Sequence, residues 1–242
     1  MSAEKLEISS PPEQTPWRYF AAYYLYQWLA MDKPHYDAFH DGEGITPEKA
    51  RKMCVTYGVA RCFSKKDWPE GEETSLVRFA AHLQALRLIH PPLAVDAVGE
   101  WLDGRYEDYR EQNAGNSKNI FSAFTKGYWF VLRSPIVILD NLAWQSLEAN
   151  VEYRRLMKSG IFFGYYAAWR QFFGLHEMAI AEACEWLPSS VFAHRLVNRG
   201  AIDKENILNT AHAAWFRERV CDMRLWNGPE MPSAVDLALY LG

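Results

Sequence analysis

The chain runs to 242 residues, 49% of them apolar and 15% aromatic, with ten Trp and a net charge of −4. That supply of apolar side chains fills one large domain or two intimate helical lobes, and the acidic balance argues against a general nucleic-acid coat. No apolar run approaches the roughly 20 residues needed to span a bilayer, and residues 1–14 lack a signal peptide's apolar core, so we expect a cytoplasmic protein with no membrane partner.

Residues 1–14 read as a flexible tail. Thr15-Pro16 then signals a helix start, and Trp17, Phe20, Tyr24 and Trp28 recur at helical spacing with Leu25 and Leu29 beside them. Asp32-Lys33-Pro34 is expected to end this helix. His35, His40, Asp41 and Glu43 then read as a solvated loop whose order matches no metal-ligand motif. Thr46-Pro47 starts a second helix to about Phe63, followed by a turn-rich break from Ser64 to Gly71. The third helix spans Glu72 to Leu88, with Leu76, Phe79, Ala80, Leu83 and Leu86 inward, and His90-Pro91-Pro92 stops it. A fourth covers Leu93 to Gln112. Asn113 to Ser117 is the clearest linker, so the expected lobes are residues 15–112 and 117–242.

Ser122 to Trp144 is the one stretch where a Lys and an Asp stand inside otherwise apolar sequence. Lys126 opens an apolar helix that Pro135 cannot continue. Ile136 to Leu139 is a short β-branched run, and Asp140 stands where an N-cap belongs, ahead of Asn141-Leu-Ala-Trp144. Helix, extended link, helix is the reading, with an amine at the first helix start and a carboxylate at the second. Two accounts stay open: an active-site frame, or an ordinary cap with a snorkelling surface Lys.

Beyond it, Tyr153 to Phe173 reads as an aromatic helix carrying Gly160 and Gly164, a spacing suited to close helix packing. Helices follow at Glu177–Leu187 and Ser189–Arg199; Ala201-Ile-Asp203 then leads into a long one to about Trp226, and a short amphipathic piece, Ser233 to Leu241, closes the chain. No segment alternates apolar and polar residues long enough for a strand. The class is all-α, a two-lobed multi-helix globular fold.

Charge is uneven along this frame. From Lys118 to Arg170 seven basic residues (Lys118, Lys126, Arg133, Arg154, Arg155, Lys158, Arg170) face three acidic ones. A local positive face can track phosphates on an acidic protein, because screening confines its field to about 10 Å; a solvated helix face would look the same. There is no Gly-rich phosphate loop, nucleophile elbow, His-Glu-x-x-His or Cys-x-x-Cys. Cys54, Cys62, Cys184 and Cys221 have no paired metal spacing and read as reduced, mostly buried thiols. No metal or cofactor is expected.

Ile120-Phe-Ser-Ala-Phe-Thr-Lys126, the apolar helix Tyr128 to Leu132, the link Pro135 to Leu139 and the acid Asp140 together resemble the helix-hairpin-helix DNA glycosylases, most of all the branch that excises 8-oxoguanine. Arg219 to Gly228 is similar to the closing helix of bacterial relatives. Two hairpin glycines of that family are replaced here by Ser122 and Phe124. The resemblance implies a two-lobed all-α fold acting on DNA with a damaged or modified base, the nucleotide flipped into a cleft and segment 118–150 carrying the chemistry. It implies Asp140 as the carboxylate stabilising the charged sugar and Lys126 as a Schiff-base nucleophile. Its expected DNA contacts are Lys118, Thr125, Arg133, Arg154, Arg155 and Lys158. Tyr128, Trp129 and Trp144 are expected to stack on the base, with Tyr165 and Trp169 as further aromatic candidates. The rival readings are a non-catalytic DNA-binding or damage-sensing helical protein, and a helical protein-interaction module.

Overall fold

A computed structural model describes residues 15–63, 75–92, 95–112 and 120–227. The N-terminal tail, the break at 64–71, the linker at 113–117, Lys118 and the piece at 233–241 lie outside the described residues. Among the described residues every regular element is a helix: α1 (Thr15–Gln27), α2 (Lys33–His40), α3 (Pro47–Thr56), α4 (Ser75–Leu86), α5 (Val95–Gln112), α6 (Phe121–Leu132), α7 (Asn141–Glu148), α8 (Val151–Leu156), α9 (Phe162–Trp186), α10 (Val191–Asn198), α11 (Lys204–His212) and α12 (Ala214–Asn227). None is long and apolar enough to cross a membrane.

The chain divides into two compact units, residues 30–171 and the remainder from both ends. The division expected at residues 113–117 therefore runs through one unit, because α4 and α6, on either side of that linker, pack on one another.

In the unit of residues 30–171, α6 is the centre. Ala123 to Val131 are all buried, as suits a helix that is apolar all round. It packs on α2 and α4. A Cβ on Gly127 would lie 2.9 Å from the Leu83 and Phe79 side chains of α4, so this glycine sets how closely the two helices meet. Asp103 of α5 caps α9, its carboxylate accepting from Phe162 N at 3.1 Å and Phe163 N at 2.9 Å.

In the other unit α1 packs on α12. Arg219 and Asp222 form a fully buried pair at 2.6 Å within α12. The Arg219 guanidinium also stands 5.3 Å from the Tyr24 ring and 4.7 Å from that of Trp226, contacts that spread its charge over aromatic faces.

Several boundaries differ from the sequence reading. A π-helical turn, Trp28–Asp32, leads directly into α2, so His35 and His40 are helical; Pro34 sits in the first turn, where its missing N–H breaks no bond. The second helix stops at Thr56, and Gly58 turns the chain at φ 66°. Gly160, at φ 149°, separates α8 and the 3-10 turn Met157–Ser159 from α9, so Gly160 and Gly164 do not share a helix. Helix α9 then continues through Gly174, where two helices were expected. The long helix expected to follow Asp203 and run to about Trp226 is two, α11 and α12, broken at an extended Ala213.

Candidate active site around Lys126 and Asp140

The link between α6 and α7 is a buried segment, Ile136 to Leu139, with no regular secondary structure. Its backbone polar groups still require partners. Thr125 Oγ1 accepts from Leu139 N at 3.0 Å and donates to Phe121 O at 3.1 Å. Tyr165 donates to Ile138 O at 3.0 Å. The Tyr166 hydroxyl accepts from Val137 N at 2.5 Å and lies 3.2 Å from Val137 O. Three side chains thus hold Val137 to Leu139 in place, and the end of that link delivers Asp140.

Asp140 caps α7 as its position in the sequence indicates, Oδ1 accepting from Leu142 N at 3.1 Å. Its other oxygen, Oδ2, accepts from Lys126 Nζ at 2.8 Å. Lys126 Nζ also donates to Ser122 Oγ at 2.7 Å, one turn back on α6. The Lys side chain is 3% exposed and that of Asp140 24%, so the pair opens to solvent on the carboxylate side. Lys126 is not a snorkelling surface residue.

Two expectations about α6 are corrected. Phe121 to Lys126 is continuous helix and not a hairpin. Lys126 is accordingly the sixth residue of the helix, beyond the exposed amides whose dipole acts within the first turn. Its charged neighbour is a carboxylate. Cys54 of α3 lies within electrostatic reach: burial pushes its thiol up to about 12, Cys62 adds to this, and the Lys126 charge opposes it. Cys54 therefore stays a neutral thiol.

The other expected site residues separate by burial. Thr125 is buried and spends its hydroxyl inside the fold. Tyr128 and Trp129 are fully buried; Tyr128 stacks on Phe124 with ring centroids 4.2 Å apart, and neither offers a free ring face to a base. Tyr165 and Trp169 are buried too. Trp144 is half-buried, one turn after Asp140, and its ring runs parallel to Tyr165 with centroids 6.1 Å apart. Arg133 caps the end of α6 with φ 56°, before the cis Ser134–Pro135 peptide, and its guanidinium lies 3.4 Å from the Tyr36 ring centroid. Arg154, Arg155 and Lys158 are exposed on α8 and the turn after it, with Arg154 Nε donating to Glu148 O at 2.8 Å.

The sequence reading gives Tyr166 no role here, marks Ser122 only as a replaced hairpin glycine and Tyr165 only as a stacking candidate, whereas all three are hydrogen-bonding parts of this arrangement. Ser122 stands four residues before Lys126, the spacing of neighbours on a helix face. The two tyrosines answer the question of where a buried link finds its hydrogen bonds.

No protein-family model, curated protein or solved structure matches the chain.

Proposed function

We propose that the protein is a DNA glycosylase-like enzyme that removes a damaged or modified base from a flipped nucleotide. The observation supporting it is the meeting of Lys126 and Asp140 at 2.8 Å, from two helices joined by a link held on three side chains. Breaking an N-glycosidic bond builds positive charge on the sugar, and a fixed carboxylate stabilises it. In this reading Asp140 lies beneath C1′. The Lys126 ammonium gives one proton to the leaving base, which frees the lone pair that bonds to C1′ as the base departs; a second proton passes from that nitrogen to O4′ as the C1′–O4′ bond breaks, and the ring-opened product is the protonated Schiff base. Trp144 is the aromatic candidate beside the carboxylate, and Arg155 and Lys158, on the exposed face of α8 and its turn, are the candidate phosphate contacts.

One observation favours a second reading. Lys126 is almost wholly enclosed and the segment before it is helical, which suits a pair that only ties α6 to α7 in a non-catalytic DNA-binding protein. Full-length protein incubated with duplexes carrying a panel of damaged or modified bases separates the two. The glycosylase reading expects alkali-labile abasic sites with wild type and none with Asp140→Asn. DNA binding without any base release would support the second reading and overturn the first.

A further inference from the structure

A second site lies elsewhere in the unit of residues 30–171. Helices α4 and α5 enclose an open cavity of about 590 Å³ whose floor is Tyr128 of α6. The space exists because Ala81 and Ala85, one turn apart on α4, put only methyl groups into it. Arg78 and His82 occupy α4 at a spacing of four residues, and Arg105 and Asp108 face them from α5. Lys126 and Tyr128 are two residues apart on one helix, so their side chains diverge by about 200°. The cavity is not the Lys126–Asp140 site.

Its polar groups are arranged for a ligand. His82 Nε2 and the Tyr128 hydroxyl are hydrogen-bonded at 2.7 Å, and among the described residues the other imidazole nitrogen has no hydrogen-bond partner. The ring is packed against Tyr109 and Phe124, with centroids 5.1 Å and 5.8 Å away, so it is fixed in direction. Burial and the nearby Arg105 hold His82 down at about 4, leaving it neutral at physiological pH and able to read a neutral ligand edge. Arg105 lies 3.8 Å from Asp108 and its guanidinium stands 5.7 Å from the Trp101 ring centroid, contacts that leave its in-plane N–H donors for an anion. The cavity volume falls in the range of small-molecule sites and greatly exceeds what one inorganic anion fills.

We propose that this cavity binds a nucleoside monophosphate, with the phosphate on the Arg105 guanidinium, the base lying flat on the Ala81–Ala85 wall, and Asp108 accepting from a sugar hydroxyl. The Arg105 guanidinium suits a phosphate oxygen, the methyl wall suits a planar ring, and the second nitrogen of His82, whose Nε2 is bonded to the buried Tyr128 hydroxyl, supplies a directed polar contact to the ring edge.

Calorimetric titration of the full-length protein with AMP, GMP, CMP and UMP tests this, with adenosine and inorganic phosphate as separate arms. The proposal expects at least one monophosphate to bind with Kd below about 1 mM, and both adenosine and phosphate to bind at least tenfold more weakly. Arg105→Gln and the cavity-filling Ala85→Leu should each weaken binding tenfold or more with an unchanged circular dichroism spectrum, while Lys126→Gln should not change it. Failure of all four monophosphates to bind overturns the proposal. So does binding that Arg105→Gln and Ala85→Leu leave intact, or phosphate alone binding as tightly as the nucleotide. A result in either direction leaves the Lys126–Asp140 reading untouched.

Discussion

The two carboxylate oxygens of Asp140 do different work: Oδ1 accepts from Leu142 N at 3.1 Å and closes the start of α7, while Oδ2 accepts from Lys126 Nζ at 2.8 Å. One side chain therefore fixes a helix end and balances a buried charge fourteen residues earlier in the chain.

Replacing that carboxylate separates the two roles. Asp140→Asn keeps an oxygen for the cap but leaves the enclosed ammonium without its counter-charge, and should cost about 2–4 kcal/mol. Lys126→Met leaves a partly hydrated carboxylate and should cost less. The double variant should be more stable than additivity predicts, with a coupling of about 1–3 kcal/mol in chemical denaturation. Simple additivity would mean that the pair contributes nothing as a pair.

The link between the helices gives a second test. Thr125→Val leaves Leu139 N buried without its acceptor, and Tyr166→Phe removes the partner of Val137 N. Each should cost about 1–3 kcal/mol. Because both hold the link that positions Asp140, each should also slow any base excision more than a core substitution of equal stability cost, such as Ile207→Val. Equal slowing in all three would show that the link does not position the carboxylate.

Two glycines of α9 should respond in opposite senses to alanine. A Cβ at Gly164 would come 2.8 Å from Leu156 O and 2.9 Å from Met157 C, so Gly164→Ala should destabilise by about 1–3 kcal/mol. Gly174 meets nothing within 4 Å, and Gly174→Ala should stabilise by up to about 1 kcal/mol. Thermal melting of both variants checks the pair.

His82 gives the stability a pH dependence of known sign. Its folded value, about 4, lies below the unfolded value of 6.5, so the unfolded chain binds the proton more readily. The stability due to neutral His82 is fully present above pH 6.5 and falls as pH drops from there to about 4, by about 3 kcal/mol at most. Denaturation midpoints at pH 7 and pH 4.5 should differ less in His82→Gln than in wild type.

Sequence patterning exposed the helices and the cap because those signals are local. Asp140 precedes an amphipathic run and Thr46-Pro47 starts a helix, and both side-chain caps form as expected. The start of α6 was hidden, since Ile120 makes no side-chain cap and no residue marks Phe121 as its first turn. Lys126 was consequently placed at a helix end when it lies inside one. The α11–α12 break at Ala213 carries neither Gly nor Pro, and Gly174 lies where open space lets α9 continue. Burial of Tyr128 and Trp129 depends on helices far away in the chain, which composition does not reveal.

The most direct test of the central claim is borohydride trapping. Full-length protein is incubated with lesion-containing duplex and borohydride, and the covalent protein–DNA adduct is resolved on a denaturing gel. The account predicts an adduct with wild type, its loss in Lys126→Gln with slow base release remaining through Asp140, and loss of both in Asp140→Asn. Base release with no adduct from the wild-type protein would contradict the role given to Lys126, and an adduct that persists in Lys126→Gln would place the nucleophile on another residue.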